Sequence, residues 1–212
     1  MKIKVCGMRE ERNIGDVSRL GIDFMGFIFY PRSPRYCEEY ISADILRGLP
    51  EGVEPVAVTV NMDYNGLLHL SSEYGFHAFQ LHGSESPALC RKLRERGFRV
   101  IKAFGIKDRE DLQRIREYSG NVDFFLFDTA TDSHGGSGRK FDWGVLEEYS
   151  FPELFLLSGG ISPVDAEIVY GFHHPRFLGI DLNSGFEITP GLKDPAKIEE
   201  FITRLSASES CE

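Results

Sequence analysis

Short apolar segments of the length of buried strands recur along the chain, and segments with helical periodicity separate them. We expect strands near residues 2–6, 23–29, 54–60, 77–81, 98–103, 122–128, 153–158 and 176–182. We expect helices near 9–20, 42–48, 63–74, 86–96, 108–118, 142–149, 162–171 and 194–206. Runs such as FFLF and LFLL are continuously apolar, as in strands that are covered on both faces. This alternation predicts an α/β fold with a single (β/α)8 or TIM barrel.

An open, doubly wound sheet is the competing arrangement of alternating strands and helices. We disfavour it because no GxGxxG motif follows the first strand, and because glycines cluster after the seventh and eighth strands. No linker-like segment divides the 212 residues. We therefore expect one barrel domain over 1–205 and a disordered polar tail over 206–212.

Charge and cysteine content narrow the class of protein. The net charge of −9 argues against a nucleic-acid surface, and no apolar run is long enough to span a membrane. No signal peptide is apparent at the N-terminus, so we expect a cytoplasmic protein with free thiols. No feature indicates an obligate protein partner. No CxxC pair is present among the four cysteines, which are Cys6, Cys37, Cys90 and Cys211. We therefore expect no metal site.

Polar residues end several apolar runs, where the carboxyl ends of barrel strands would form an active site. Cys6 ends the first run, and it reads equally as a general base or nucleophile and as a small buried hydrophobic residue. Asp128 ends the sixth run. A carboxyl group in a partly apolar site has a raised pKa, which suits a general acid, so we favour this role over a helix cap or a loop ion pair.

Two glycine-containing segments follow the seventh and eighth runs. In barrels, the backbone amides of these two loops commonly bind phosphate, and glycine lets the backbone approach a ligand closely. We therefore expect a phosphate site formed by Gly159, Gly160, Asn183, Ser184 and Gly185.

Other polar residues lie where the mouth of the barrel is expected. Arg35 follows the second run and could bind a carboxylate, whereas most arginines are solvated surface charges. His82 follows the fourth run, although a lone histidine is more often structural. We also expect Asp181, at the end of the eighth run, to contact a substrate. The loop 129–141 reads either as a lid over the site or as a plain connection, and its glycines are Gly135, Gly136 and Gly138.

Seven segments, in order along nearly the whole chain, resemble the phosphoribosylanthranilate isomerase family of tryptophan biosynthesis. They are KVCGM at 4–8, GFIFYPRSPRY at 26–36, VAVTVN at 56–61, FQLHGSES at 79–86, FLFDTATDSHGGSGRKFDW at 125–143, LLSGGISP at 156–163 and GIDLNSGFEITPGLKD at 179–194. Two positions depart from the family pattern: Asn183 stands where serine is usual, and Thr59 stands where an aromatic or aliphatic residue is usual.

The resemblance implies an Amadori rearrangement of N-(5-phosphoribosyl)anthranilate, a sugar phosphate, without any cofactor. In it, Cys6 matches the family's general base, Asp128 its general acid and Arg35 an arginine at the anthranilate end. The glycine loops match the phosphate site. A thiol with an ordinary pKa near 8.5 is mostly protonated at pH 7. We therefore expect the pKa of Cys6 to be lowered, by a cationic Schiff base or by the N-terminus of the following helix.

Two other functions compete with this one. A related barrel lyase, indole-3-glycerol phosphate synthase, would use a lysine as its acid, and Lys102 at the end of the fifth run is the candidate. The Cys6-Gly7 pair speaks against that enzyme. A sugar-phosphate binding protein without activity would keep the glycine loops but would not need both Cys6 and Asp128.

Overall fold

The computed structural model describes residues 1–130 and 141–209 of the chain. Within these ranges, parallel strands form a closed barrel in which each strand pairs with the next and the last pairs with the first. The strands are β1 (Lys2–Cys6), β2 (Phe24–Ile28), β3 (Glu54–Thr59), β4 (Ala78–Leu81), β5 (Arg99–Ile106), β6 (Phe124–Thr129), β7 (Leu154–Leu157) and β8 (Phe177–Leu182). The predicted (β/α)8 barrel is confirmed.

Helices follow the strands and cover the outside of the barrel. The α-helices are α1 (Glu11–Val17), α2 (Ala43–Arg47), α3 (Tyr64–Tyr74), α4 (Pro87–Glu95), α5 (Arg109–Gln113), α6 (Ala166–Tyr170) and α7 (Pro195–Glu209). Short 3-10 helices supplement them at Arg114–Tyr118, Trp143–Glu148, Pro163–Asp165 and Ser184–Phe186. The helix predicted over 142–149 is therefore a 3-10 helix, whose first residues are capped by the Asp142 carboxylate. Ser42 and Ser86 cap α2 and α4 in the same way.

The barrel wall separates two apolar cores, because successive residues of a strand point to opposite faces. The core inside the barrel is small and mostly aliphatic, and it includes Ile101, Ala103 and Leu126. The core between the wall and the helices is rich in phenylalanine. In β5, Lys102 stands between Ile101 and Ala103 and belongs to the outer side. In β1, Lys4 and Cys6 are two residues apart and share the inner face.

A short antiparallel hairpin follows β8, and the sequence patterns did not predict it. It consists of β9 (Glu187–Thr189) and β10 (Leu192–Lys193). Helix α7 continues to Glu209, so residues 206–209, which were expected in a disordered tail, are helical. Residues 210–212 lie outside the described part of the chain. No helix in the described ranges is long and apolar enough to cross a membrane.

Candidate active site

A cavity opens at the carboxyl ends of the barrel strands and contains about 740 Å³ of space, its open mouth included. This is the face on which barrel enzymes carry their active sites. The cavity brings together most of the residues that the sequence singled out. Its walls include Cys6, Arg35, His82, Asp128, Gly159, Gly160, Asp181, Asn183 and Ser184. The predicted lid glycines Gly135, Gly136 and Gly138 lie outside the described residues.

Cys6 is held at the end of β1 by a tight turn against β2. Gly7 has a φ of +79°, and the N–H groups of Gly7 and Met8 both donate to the Gly26 carbonyl at 2.9 and 3.0 Å. Because positive φ strains other residues, glycine is needed at this turn. The turn leaves Cys6 at the floor of the cavity, where it is only 3% exposed.

The electrostatic surroundings of Cys6 correct one expectation. Burial raises the pKa of the thiol above its ordinary value near 9, and Asp181 adds to this effect. Lys4 and Lys193 oppose it. Helix α1 begins only at Glu11, five residues beyond the cysteine. The expectation of a lowered thiol pKa is therefore wrong for the free protein, and the groups that favour the thiolate are buried lysines.

Asp128 stands at the end of β6 with its side chain 23% exposed. Burial raises its pKa to about 6, and the nearby negative charge of Asp181 contributes in the same direction. The N–H of Thr129, which donates to Asp128 Oδ1 at 2.8 Å, and the positive charge of Lys4 limit the rise. A carboxyl group with this pKa exchanges protons readily near neutral pH, as a general acid must.

His82 connects this carboxyl group to β4. Its Nε2 lies 3.7 Å from Asp128 Oδ2, and its Nδ1 lies 3.2 Å from Nε2 of the buried Gln80. In the tautomer of His82 whose Nδ1 accepts from the Gln80 amide, the ring proton is on Nε2, toward Asp128. Gln80 lines the cavity as well, but sequence analysis did not single it out.

A buried ion pair lies under Cys6, inside the barrel. Lys4 Nζ donates to Asp181 Oδ1 at 2.8 Å, and the hydroxyl of Ser158 donates to Asp181 Oδ2 at 3.2 Å. The Lys4 side chain is not exposed at all. Both carboxylate oxygens of Asp181, a predicted substrate contact, are thus hydrogen-bonded to the protein. The sequence signal that could have found this pair is a lysine two residues before Cys6, on the same face of β1.

A second charged cluster surrounds Arg35 at the rim. Glu187 accepts from Arg35 Nε and Nη2 at 2.8 and 2.7 Å, and from Lys193 Nζ at 2.6 Å. These donors, together with the N–H of Gly191, lower the pKa of Glu187 in spite of its burial. Lys193 also donates to Asn183 Oδ1 at 2.9 Å. The hairpin that supplies Glu187 and Lys193 was not predicted, so sequence analysis missed both residues.

The glycine loops after β7 and β8 come together. Gly159 and Gly160 have φ values of +89° and +67°. A Cβ at Gly159 would lie 2.8 Å from Asp128 Oδ1, and a Cβ at Gly185 would lie 2.3 Å from the Ile161 carbonyl oxygen. Gly185 therefore packs the two loops against each other and, unlike the other predicted phosphate residues, does not line the cavity.

Lys102, the candidate acid of the competing lyase, is not in the cavity. It is buried on the outer side of the wall, where its Nζ lies 3.3 Å from Glu85 Oε2. The same Nζ donates to the carbonyls of Leu81, Gly83 and Ala103 at 2.9 to 3.0 Å. In the described ranges, no group of three or more His, Cys, Asp or Glu side chains could hold a metal ion.

The barrel and this cavity define the class: a (β/α)8-barrel enzyme with a carboxyl group and a thiol group in one cavity at the carboxyl ends of the strands. The family model of N-(5'phosphoribosyl)anthranilate (PRA) isomerase matches residues 3–204. The N-(5'-phosphoribosyl)anthranilate isomerase of Parabacteroides distasonis is 49% identical over 209 residues, which are 97% of this chain and 93% of the relative. The isomerase of Phocaeicola vulgatus is 46% identical over 208 residues, 97% of this chain and 98% of the relative.

Solved structures agree with this assignment. The phosphoribosyl anthranilate isomerase of Thermotoga maritima has a TM-score of 0.88 at 35% identity, covering 98% of this chain and 99% of that chain. An isomerase in complex with reduced 1-(o-carboxyphenylamino)-1-deoxyribulose 5-phosphate has a TM-score of 0.84 at 32% identity, with coverage of 98% and 99%. The chain belongs to the phosphoribosylanthranilate isomerase family and is an isomerase of tryptophan biosynthesis.

Proposed function

We propose that this enzyme converts N-(5-phosphoribosyl)anthranilate into 1-(2-carboxyphenylamino)-1-deoxyribulose 5-phosphate, with Asp128 as general acid and Cys6 as general base. The observation that carries the proposal is that the two side chains line one cavity from β6 and β1. Only β7 and β8 lie between these strands on one side of the barrel, and their loops are the predicted phosphate site. A sugar held by its phosphate there would have the acid on one side and the base on the other.

Asp128 would act first, by donating its proton to the ribose ring oxygen. The C1′–O bond then breaks, and the nitrogen lone pair forms a cationic Schiff base at C1′. Since the pKa of Asp128 is about 6, roughly a tenth of the molecules carry this proton at pH 7. An ordinary aspartate would be protonated far less often, so the burial of Asp128 favours the first step.

Cys6 would act second, as a thiolate that removes the proton from C2′. The electrons of the C2′–H bond move toward C1′ and neutralise the Schiff base, which gives an enolamine. The enolamine then gains a proton at C1′ and loses the proton of its C2′ hydroxyl, which gives the ketone. In the balance, C1′ is reduced and C2′ is oxidised within one molecule, so the reaction consumes no external oxidant or reductant.

The remaining cavity residues would bind the ends of the substrate. The backbone amides at Gly159, Gly160 and Ser184 are proposed to hold the phosphate. Arg35 is proposed to contact the anthranilate carboxylate from the rim, while Glu187 fixes the orientation of its guanidinium group. Glu187 already accepts from Nε and Nη2 of Arg35. We therefore expect the anthranilate carboxylate to contact Nη1, the third guanidinium nitrogen.

The loss of substrate fluorescence in purified variants tests the two roles. Cys6→Ala and Asp128→Asn should each lower kcat by about 10²- to 10⁴-fold, the usual contribution of a general acid or base. Cys90→Ala is the matched control, because Cys90 is also buried but belongs to the outer core. It should keep kcat near that of the parent.

Two results would refute the proposal. One is turnover in Cys6→Ala or Asp128→Asn as fast as in the Cys90→Ala control. The other is release of carbon dioxide during turnover, because the competing lyase decarboxylates its substrate whereas the isomerase keeps every atom.

A further inference from the structure

We propose that Lys4 is a positioning residue of this isomerase: the ammonium, held inside the barrel by Asp181, stabilises the thiolate of Cys6 that removes the C2′ proton. This inference rests on the proposed role of Cys6 as the base. Lys4 does not line the cavity, so it would act through Cys6 and would not touch the substrate. No sequence motif assigns Lys4 a role, and the sequence analysis passed over it.

The geometry places the ammonium beside the sulfur. A Cβ built on Gly26 of β2 would lie 2.7 Å from Cys6 Sγ and 3.0 Å from Lys4 Nζ. Both atoms therefore border the same small volume, which is free only because residue 26 is glycine. Lys4 and Cys6 reach this point from the same face of β1 because they are two residues apart.

The free-energy cost of burying the Lys4 ammonium supports a functional role for its charge inside the barrel. A lysine side chain with no exposure loses the hydration of its charge, and an apolar residue could fill the same position without this cost. Burial alone would lower the pKa of the ammonium. Asp181 and Cys6 nevertheless raise the pKa of Lys4 above its ordinary value, so the lysine stays charged. A permanent cation next to a thiol favours the thiolate.

The other charges around Cys6 leave Lys4 as its main cationic partner. Asp181 on β8 disfavours the thiolate, and Lys193 on β10 favours it less strongly than Lys4 does. The positive charge of Lys193 is compensated by Glu187 at 2.6 Å. In the described part of the chain, the other titratable or charged groups facing the site are Asp128 on β6, His82 after β4, and Tyr30, Arg35 and Cys37 after β2.

A stabilised thiolate matters because the reaction needs the group with the lower pKa to be protonated and the group with the higher pKa to be ionised. Asp128 must be protonated although its pKa is about 6, and Cys6 must be ionised although its pKa is higher. Between these two values, the fraction of correctly protonated enzyme depends on the difference between them and not on pH. Each pH unit by which Lys4 lowers the pKa of Cys6 therefore increases that fraction about tenfold.

The rate of Cys6 alkylation by iodoacetamide as a function of pH tests the inference without the use of turnover. The product is measured as the mass of the peptide that contains Cys6. Lys4→Met should raise the midpoint by about one to two pH units, the usual effect of removing an adjacent opposite charge. Lys4→Arg keeps the charge and should stay closer to the parent.

Two further variants keep the result interpretable. The double variant Lys4→Met/Asp181→Asn leaves no buried carboxylate without a partner, so it replaces the single variant if that one does not fold. The midpoint of its alkylation profile should lie between those of the parent and Lys4→Met. Lys102→Met removes an equally buried lysine on the outer side of the wall. This control should leave the midpoint of Cys6 unchanged.

An unchanged midpoint in folded Lys4→Met, or in the folded double variant if the single variant does not fold, would overturn the inference, and so would an equal shift in Lys102→Met. The inference and the proposed function fail separately. Full turnover in Cys6→Ala would refute Cys6 as the base whatever the alkylation shows. An unchanged midpoint together with inactive Cys6→Ala would leave the base in place and remove only the role of Lys4.

Discussion

Two buried lysine–carboxylate pairs lie on opposite sides of the barrel wall, and they differ in what surrounds them. Lys4 and Asp181 face the barrel interior beside Cys6, with 2.8 Å between Lys4 Nζ and Asp181 Oδ1, and only Asp181 borders the cavity. Lys102 and Glu85 face the helices at 3.3 Å. Burial lowers the pKa of Lys102, whereas Asp181 and Cys6 raise the pKa of Lys4 in spite of its burial.

The hydrogen bonds of the outer pair show that it holds loops. Lys102 donates to the carbonyls of Leu81 and Gly83, and Glu85 accepts from the N–H groups of Gly83 and Asn61 at 2.8 to 3.1 Å. This pair therefore joins the loops after β3 and β4. The inner pair makes few such bonds and lies beside a reactive thiol. The outer pair thus joins two loops, whereas the inner pair is the one that we propose to act on the thiol of Cys6.

Removal of either lysine tests whether both pairs contribute to stability. We expect Lys4→Met and Lys102→Met each to lower the free energy of unfolding by about 3–5 kcal/mol, because each leaves a buried carboxylate without its partner. Urea unfolding at pH 7 measures both. A loss below about 1 kcal/mol in either variant would mean that its carboxylate is already satisfied by its other donors.

A methyl group at residue 26 perturbs the inner pair alone. Gly26→Ala forces Cys6 Sγ and Lys4 Nζ to move, and overpacking of this kind costs about 1–3 kcal/mol. We expect kcat to fall with little change in KM. Gly15→Ala in α1 is the matched control, since its Cβ would have no atom within 4 Å. The control should stabilise the protein by about 0.5–1 kcal/mol and keep full activity.

Asp128 extends the comparison to a half-buried carboxyl group that forms no ion pair with a lysine of the described ranges 1–130 and 141–209. Its pKa rises to about 6 from 3.8, so the folded state binds more protons than the unfolded state between these values, and stability falls as pH rises through that window. Asp128→Asn should remove this dependence and stabilise the inactive protein at pH 7 by about 1–2 kcal/mol. A difference in unfolding free energy between variant and parent that stays constant from pH 4 to pH 7 would contradict this.

The two lysines should respond to alkaline pH in opposite directions. The pKa of Lys4 is raised, so its contribution to stability is complete below the ordinary value of 10.5 and is lost above it. The pKa of Lys102 is lowered, so its contribution grows as pH rises toward 10.5. The loss of unfolding free energy in Lys4→Met should therefore shrink as pH rises above 10.5. The loss in Lys102→Met should grow as pH rises toward 10.5. Deficits that change in the same direction would break the comparison.

The sequence predicted the barrel well because each βα unit carries its own local signals. Short apolar segments indicated every barrel strand, and Ser86 and Asp142, which cap helices in the structure, stand where two of the expected helices begin. The same reasoning placed Cys6 and Asp128 at strand ends, since in a barrel the strand ends meet at one face.

The supporting residues were harder to predict because their partners are distant in the chain. Lys4 pairs with Asp181 across 177 positions, and Arg35 pairs with Glu187 across 152. Strand periodicity put Lys4 on the face of Cys6, but a charged residue in a strand usually indicates solvent. The raised thiol pKa follows from three-dimensional burial, which no local pattern carries.

The most direct test of the different roles of the two pairs is the pH profile of kcat/KM for Lys4→Met and Lys102→Met, measured where both are folded. With Lys4→Met, the plateau above pH 6 should fall about tenfold, the upper limb should move to higher pH, and the deficit should vanish at the alkaline end. The profile of Lys102→Met should run parallel to that of the parent. Two variant profiles that coincide in shape would contradict the account, because the inner lysine would then act on the fold alone.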